Sequence, residues 1–263
     1  MILKIVKVSE DSNSFNYEYY CTKTKKCISR TDNKLVIKNE VVELGEKSFS
    51  YFKKPFDLRI PNNVIIISKN AFEDSMVKKV CFDKDAKVTK IPLSAFFGAV
   101  NLIKINIPSR VKVIESTAFK GTKNLKEVIF DSNSELERIS DSAFSNAASL
   151  ESIVIPKSVV SIGSSAFAYN ERLRIVTFES GSNPKAIESK AFLKAKELER
   201  IVIPSSVEYI GYDAFCGCEH LTIFCELKDK PSEWDYEWNI SNRPVYWKDC
   251  WQYDENGNPQ ASS

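Results

Sequence analysis

The stretch SVVSIGSSAF, from Ser158 to Phe167, decides the fold because near-copies of it recur along the chain. RVKVIESTAF ends at Phe119, SVEYIGYDAF ends at Phe215, and a looser version, NVIIISKNAF, ends at Phe72. The phenylalanines in this position follow one another at intervals of 23 to 25 residues: Phe49, Phe72, Phe96, Phe119, Phe144, Phe167, Phe192 and Phe215. A period of this length predicts a solenoid, in which each repeat forms one coil.

A second pattern, with twice this period, indicates that two kinds of coil alternate. An Ile-Pro pair recurs every 47 or 48 residues and ends at Pro61, Pro108, Pro156 and Pro204. Halfway between these pairs a phenylalanine is followed by an acidic residue, at Phe82, Phe130 and Phe178. The repeating unit is therefore a pair of coils, one of an Ile-Pro type and one of a Phe-acid type.

Each coil carries two apolar patterns. The first is L-x-x-[I/V]-x-[I/F], as in Leu150, Ile153 and Ile155, and its alternation predicts a half-buried strand. The second is V-x-x-I-x-x-x-A-F, as in residues 159–167, and we expect all its apolar residues to point into one core. One coil cannot bury its apolar side alone, so stacking of neighbours must complete the core.

Composition excludes several classes of protein. The 263 residues include 43% hydrophobic residues, which is enough for a substantial core. Lys and Arg number 37 against 35 for Asp and Glu, and a net charge of +2 does not indicate a nucleic-acid-binding protein. No run of about 18 apolar residues occurs, so we expect no membrane insertion.

The chain resembles the BspA-like leucine-rich repeat family, also called the Treponema-type or type 5 leucine-rich repeats. The family pattern, roughly L-x-x-I-x-I-P-x-S-V-x-x-I-G-x-x-A-F-x-x-C-x-x-L, is met almost in full by residues 150–173 and again by residues 198–221. The resemblance covers about residues 35–247. It implies a mainly β fold, a leucine-rich repeat solenoid of about eight coils of 23–25 residues with N- and C-terminal caps.

The resemblance also implies binding rather than catalysis. Members of this family are often found on, or secreted from, microbes that live on hosts, and some act as adhesins toward host proteins or other bacteria. They share no catalytic residues, so we expect no enzyme activity and no cofactor. A protein partner and a monomeric chain are the expectation, with a carbohydrate as the alternative ligand and an intracellular scaffold as a third role.

The N-terminal segment is expected to cap the solenoid. Residues 1–34 lack the repeat, and the alternating segments ILKIVKV and FNYEYYC predict a β-hairpin. This segment has no apolar region of the kind found in a secretory signal, which by itself indicates a cytoplasmic protein. The family resemblance instead implies a cell-surface or secreted one.

The other end is rich in tryptophan. After the solenoid, assigned to residues 35–226, we assign residues 227–253 to a cap that contains Trp234, Trp238, Trp247 and Trp251. These rings either plug the last coil, which we favour because a solenoid end must be covered, or stack on sugars. Residues 254–263 are polar and contain Gly and Pro, so we expect a disordered tail.

The cysteines do not indicate a metal site or a disulfide framework. The seven cysteines are irregularly spaced. Cys21 and Cys27 are placed so that a disulfide could bridge a hairpin, but we favour free thiols because disulfides are rare in the cytosol. Cys218 occupies a position that holds small side chains in most coils, and we interpret it as a packing residue. The single histidine, His220, has no partner residues at the spacing of metal ligands.

Function is expected at outward positions of the stacked strands. Eight coils whose strands stack about 4.8 Å apart predict a ladder on the order of 40 Å long. Ile129, Val154 and Val202, with Ile175 beside them, form a semi-apolar stripe, although strand propensity alone is an alternative reason for such residues. The candidate protein-binding face comprises Lys79, Lys104, Asn106, Glu127, Ile129, Ser152, Val154, Ile175, Thr177, Arg200 and Val202.

Overall fold

A computed structural model describes residues 2–11, 14–21, 28–31, 34–50, 52 and 54–262, and every regular element in these ranges is a β-strand. No helix in this part of the chain is therefore long and apolar enough to cross a membrane. The strands that precede the repeats are β1 (Ile2–Asp11), β2 (Ser14–Cys21), β3 (Ile28–Thr31) and β4 (Lys34–Ile37). The repeat strands are β5 (Glu43–Leu44), β6 (Phe56–Ile60), β7 (Ile66–Ile67), β8 (Val77–Phe82), β9 (Lys90–Ile91), β10 (Lys104–Ile107), β11 (Val113–Ile114), β12 (Glu127–Phe130), β13 (Arg138–Ile139), β14 (Ser152–Ile155), β15 (Ser161–Ile162), β16 (Ile175–Phe178), β17 (Ala186–Ile187), β18 (Arg200–Ile203), β19 (Tyr209–Ile210) and β20 (Thr222–Cys225). The last strands are β21 (Val245–Tyr246), β22 (Trp251–Tyr253) and β23 (Pro259–Ala261).

The repeat strands form two parallel ladders, which confirms the prediction of a β-solenoid. The first ladder consists of the longer, even-numbered strands from β4 to β20, and the second consists of the two-residue, odd-numbered strands from β5 to β19. In the first ladder inward residues alternate with outward ones, as in β14, where Ile153 and Ile155 are buried while Ser152 and Val154 are exposed. The nine strands of this ladder correspond to about nine turns in the described part of the chain.

One phenylalanine per coil forms the centre of the core. The eight rings predicted above, from Phe49 to Phe215, are all fully buried. Neighbouring rings stack with their centroids 4.5 to 5.6 Å apart and their planes within 11° of parallel. Because this distance is close to the spacing of paired strands, ring stacking and strand pairing fit the same coil-to-coil repeat.

The turn around each phenylalanine depends on left-handed backbone. The residue two positions before the ring has a φ between 52° and 59° in every coil: Lys47, Asn70, Ser94, Thr117, Ser142, Ser165, Lys190 and Asp213. This conformation costs roughly 1–2 kcal/mol for a residue with a Cβ. Hydrogen bonds between coils offset the cost, since the N–H of Phe144 donates to the Ala166 carbonyl (2.8 Å) and the N–H of Phe167 to the Ala191 carbonyl (2.8 Å).

The alternation of the two coil types weakens the first ladder at every second junction. In the Phe-acid coils the residue after the strand donates its N–H to the preceding coil, as Asp131 does to Ile107 (3.0 Å) and Glu179 does to Ile155 (3.0 Å). In the Ile-Pro coils this residue is a proline, which has no N–H. From β6 onward, pairing covers four or five residues within a pair of coils. Between pairs it covers two residues from β8 to β10, one from β16 to β18 and, among the described strands, none from β12 to β14.

Among the described strands, a side chain replaces part of the missing backbone bonding at one junction, that between β8 and β10. The Asn106 Oδ1 accepts a hydrogen bond from the N–H of Phe82 (3.1 Å), whereas Val154 and Val202, in the same position of later coils, cannot accept one. Phe82 is only 6% exposed, but Phe130 and Phe178 are half-buried. The predicted ladder therefore consists of two sheets, which meet between β12 and β14.

A proline also interrupts the second ladder. Pro92 occupies a position from which other coils donate an N–H, such as that of Glu115 to the Ile91 carbonyl (2.8 Å). No pairing joins β7 to β9 among the described strands, so the second ladder begins a new sheet at β9. Near this break the side chains of Ile65 and Ile66 are about half exposed.

Additional strands lie at both ends of the solenoid. β1 pairs antiparallel with β2 and parallel with β5, so the N-terminal hairpin extends the second ladder. β3 pairs antiparallel with β4 and extends the first ladder. At the other end β21 adds to β20 in parallel. Among the described strands, none adds to β19, the last strand of the second ladder; there the N–H of Asp235 donates to the Ile210 carbonyl (2.8 Å).

The structure describes a hairpin within residues 254–262, where the sequence predicts a disordered tail. β22 and β23 pair antiparallel, which places most of the tail in a hairpin. The turn contains Asn256-Gly257, a common hairpin sequence, and Gly257 has a φ of 77°, which suits glycine. The Asp254 Oδ1 accepts hydrogen bonds from the N–H groups of Asn256 (2.9 Å) and Asn258 (2.8 Å), so local bonds hold the polar turn in place.

Replacing the central ring should test the role of the phenylalanine stack. Phe144→Ala removes a fully buried ring that lies 4.9 Å from Phe119 and 5.4 Å from Phe167. We expect the free energy of unfolding, measured by denaturant titration, to fall by about 3–5 kcal/mol. Val160→Ala, at an exposed valine, is the control and should change it by roughly 0.5 kcal/mol or less. Equal effects of the two changes would contradict the role assigned to the ring.

Candidate functional site

The eleven residues of the candidate face lie on the outward side of the first ladder. All of them are exposed or half-buried, and they alternate with inward residues on the strands from β8 to β18. We call this surface the ladder face. The structure divides it into three parts with different properties, so the eleven residues do not act as one uniform surface, and their role in binding stays a prediction.

The N-terminal part of the ladder face is polar. The Lys104 Nζ lies 2.9 Å from the Glu127 Oε2, and Lys79 is exposed. Asn106 is occupied by its bond to the backbone of Phe82. An exposed ion pair contributes roughly 0–1 kcal/mol, so this part stabilises the fold little and remains open to solvent.

The middle of the ladder face is apolar and coincides with the division of the sheet. Ile129, on β12, is 37% exposed, and Val154, on β14, is 52% exposed. The inward residues of β12, Val128 and Phe130, are only half-buried, whereas the inward residues of β10 are fully buried. Apolar surface is therefore concentrated where the two sheets meet.

The C-terminal part of the ladder face is partly covered. The hairpin of β22 and β23 contacts it, and the Arg200 Nη2 donates to the Asn258 Oδ1 (2.7 Å). Between the hairpin and the face lies a cleft of about 670 Å³, whose lining includes Ile175, Thr177 and Val202. Glu179, Glu226 and Tyr253 line the same cleft and were not among the predicted residues. The Asn-Gly turn signal could have revealed the hairpin, but no sequence pattern indicates which coil it contacts.

Two of the four tryptophans of the predicted cap are buried. Trp234 and Trp238 are 2% and 6% exposed, and their ring centroids are 4.9 Å apart. Trp238 also meets the last ring of the phenylalanine stack edge-on, 6.2 Å from Phe215. Because both rings are buried, neither offers a face to a sugar. Trp251 is half-buried and lies next to exposed Tyr253, so it is better placed than Trp234 and Trp238 to contact a sugar.

The cysteines of the last two coils are packing residues. Cys218 and Cys225 are fully buried, and burial raises the pKa of both thiols to about 12. They are therefore protonated at neutral pH and poor nucleophiles. Among the described residues, no three His, Cys, Asp or Glu side chains group as metal ligands. The alternative of a Cys21–Cys27 bridge falls outside the residues whose side chains are described.

Comparison with known proteins identifies the repeat. The family described as a BspA type leucine rich repeat region matches the chain in six copies, over residues 23–137 and 89–222. Together these ranges run from residue 23 to residue 222 and include most of the chain. No curated protein matches.

Solved structures of bacterial repeat proteins share the fold. The pneumococcal vaccine antigen PcpA is 23% identical with a TM-score of 0.59, and the match covers 89% of this chain and 69% of that one. A leucine rich cell surface protein from Faecalibacterium prausnitzii A2-165 is also 23% identical, with a TM-score of 0.50. The match covers 90% of this chain and about half, 52%, of that protein. At this level of identity the likeness shows the fold alone.

The ladder face should tolerate charge in its apolar middle. We expect Ile129→Glu combined with Val154→Glu to lower the free energy of unfolding by about 1 kcal/mol or less, because both side chains point outward. Ile153→Glu, a change at the adjacent inward residue, should abolish the cooperative thermal transition. Loss of that transition in the outward double variant would show that the strand register is wrong.

The reactivity of the cysteines should follow their burial. A pKa about three units above that of an ordinary thiol leaves about a thousandfold less thiolate at pH 8. We therefore expect iodoacetamide to alkylate exposed Cys81 and Cys250 at least a hundredfold faster than Cys218 and Cys225 in the folded chain, as read by peptide mass spectrometry. Similar alkylation rates for all four cysteines would show that the last two coils open readily. Denatured protein is the control, since all four thiols should then react at similar rates.

Proposed function

Because this chain belongs to the BspA-type leucine-rich repeat family, we propose that it is a non-catalytic module that binds another protein through the ladder face. Solenoids of this class present an extended surface of stacked strands on which a partner can lie. Leucine-rich repeats in general mediate protein interactions, and the ladder face is a solvent-accessible part of the first ladder.

The observation that carries the proposal is the exposed apolar middle of the ladder face. Ile129 and Val154 are large apolar side chains in adjacent coils, and both are exposed. Half-buried Val128 and Phe130 enlarge the apolar surface at the same junction. Strand propensity alone can explain why outward positions hold β-branched residues such as Ile129 and Val154. It does not explain why the inward residues Val128 and Phe130 are only half-buried.

Polar groups surround this apolar middle. Lys104 and Glu127 form an ion pair on one side, and Ser152 and Thr177 lie on the other. An apolar centre with a polar rim is the usual arrangement of a protein–protein interface, in which the centre contributes most of the affinity and the rim contributes orientation.

We place this binding at a microbial cell surface, where the protein would act as an adhesin toward a host or microbial protein. The two structural relatives support this location, since one is named as a vaccine antigen and the other as a cell surface protein. A scaffold inside the cell is the competing role. The two roles differ in the compartment that supplies the partner.

An affinity capture with a ladder-face variant tests the proposal. The wild-type chain and the Ile129→Glu/Val154→Glu variant are presented separately to a cell-surface and matrix extract and to a cytosolic extract. We expect the wild type to retain a protein from the surface extract and the variant to lose it. The captured protein is then purified and titrated against both chains, and we expect at least a tenfold weaker affinity for the variant.

A matched variant controls for added charge. Val100→Glu combined with Val160→Glu introduces the same two charges at exposed valines outside the strands of the first ladder. This control should bind like the wild type. If both double variants lose the partner, or neither does, the ladder face is not the binding surface. Retention of a cytosolic protein alone would favour the scaffold.

A further inference from the structure

A cleft opens at the C-terminal end of the ladder face because β16 and β18 diverge. The two strands pair only where Ile175 faces Arg200, whereas β14 and β16 pair over four residues. Pro204, at the end of β18, has no N–H with which to continue the pairing. Phe178, an inward residue of β16, is consequently left half-buried and lines the cleft.

The C-terminal hairpin forms the opposite wall of the cleft and is anchored to the ladder. Arg200 donates to the side chain of Asn258 (2.7 Å), and Trp251 donates from its Nε1 to the Cys225 carbonyl (2.9 Å). Bonds from the backbone to Asp254 hold the intervening turn. The volume of the cleft, about 670 Å³, is in the range of sites that take a small ligand or a few residues of a peptide.

The lining combines apolar surface with negative charge. Val176, Phe178, Val202 and Pro259 contribute apolar surface, and the ring of Tyr253 is 54% exposed beside them. Burial, together with the negative charge of nearby Glu226, raises the pKa of the Tyr253 phenol, so this ring stays neutral at physiological pH.

The two carboxylates of the cleft have no cationic partner among the described residues. Glu179 accepts the N–H of Lys157 (2.9 Å), and Glu226 accepts the N–H of Ser205 (3.1 Å), which holds one oxygen of each in place. Arg200 also lines the cleft, and its Nη1 lies 3.8 Å from the Glu199 Oε2, but Glu199 already pairs more closely with Arg174 (Nη2 to Oε1, 2.5 Å). Arg200 therefore offsets one of the two carboxylate charges of the lining, and the other remains. The lining therefore carries an uncompensated negative charge.

We infer that this cleft binds an arginine or lysine side chain from an extended segment of the protein partner, an inference that rests on the proposed function and adds the partner's chemistry to it. The aliphatic part of such a side chain would pack on Phe178 and Val202. Its charged end would meet Glu179 and Glu226 and could lie over the Tyr253 ring. A partner seated on the apolar middle of the ladder face would reach the cleft two coils further along.

Peptide titration followed by NMR tests this inference on the full chain. The probe is acetyl-Val-Arg-Val-amide, and its control is the same peptide with citrulline, which has nearly the shape of arginine but no charge. We expect the arginine peptide to shift the amide signals of residues 176–178, 201–203 and 253–258 with at least fivefold higher affinity than the citrulline peptide. Equal affinities, or shifts spread over the whole ladder, would overturn the inference.

Variants of the two carboxylates locate the charge effect. Glu179→Gln and Glu226→Gln keep an oxygen that can accept the same backbone N–H, so the fold should be retained, which the thermal transition verifies. Each should weaken the arginine peptide at least threefold, and Glu197→Gln, at an exposed acid outside the cleft, should not. Unchanged affinity in both cleft variants would contradict the role of the acids.

Two further outcomes separate this inference from its alternatives. Tighter binding of maltotriose or chitotriose than of the arginine peptide, with shifts of the same amide signals, would assign the cleft to carbohydrate and overturn the inference. A partner that is lost by the Ile129→Glu/Val154→Glu variant but kept by Glu179→Gln/Glu226→Gln would overturn the inference and leave the proposed function standing. The reverse pattern would retain the cleft and reject the middle of the face.

Discussion

The stack of phenylalanine rings is the contact on which the rest of the structure depends. Each of the eight coils from Phe49 to Phe215 contributes one fully buried ring, and successive rings repeat at 4.5 to 5.6 Å, close to the distance between paired strands. A coil that keeps this distance can bond to its neighbours along both ladders and bury its apolar side at the same time. The left-handed turn residues are tolerated because these contacts between coils offset their cost.

Proline turns this uniform repeat into a series of paired coils. Every second coil ends its strand with a proline, so the bond that a Phe-acid coil donates to the preceding coil is missing at every second junction. Asn106 replaces part of the loss at one junction, and Val154 and Val202 do not. The two least paired junctions are also the places where inward phenylalanines reach solvent, and both surfaces that we propose for binding lie there.

The two proposed surfaces use different physical forces. The middle of the ladder face offers exposed apolar side chains within a polar rim, which favours affinity through burial. The cleft offers negative charge beside an aromatic ring, which favours selection of a basic side chain. A partner that satisfies both needs an apolar segment and a cationic residue at a separation of about two coils, and this requirement is more specific than either surface alone.

The sequence by itself determined the coil length, the alternation of two coil types, the slot of each phenylalanine and the outward positions of Ile129 and Val154. These features repeat, and a repeated pattern reports the packing that every coil shares. Only the tertiary structure decided that the ladder divides between β12 and β14 and that the tail folds into a hairpin beside Arg200. The division depends on the absence at Val154 of the side-chain acceptor that Asn106 supplies at an earlier junction, and the position of the hairpin depends on the bond between Asn258 and Arg200, 58 positions away. Each feature occurs once, and a pattern shared by all coils does not encode it.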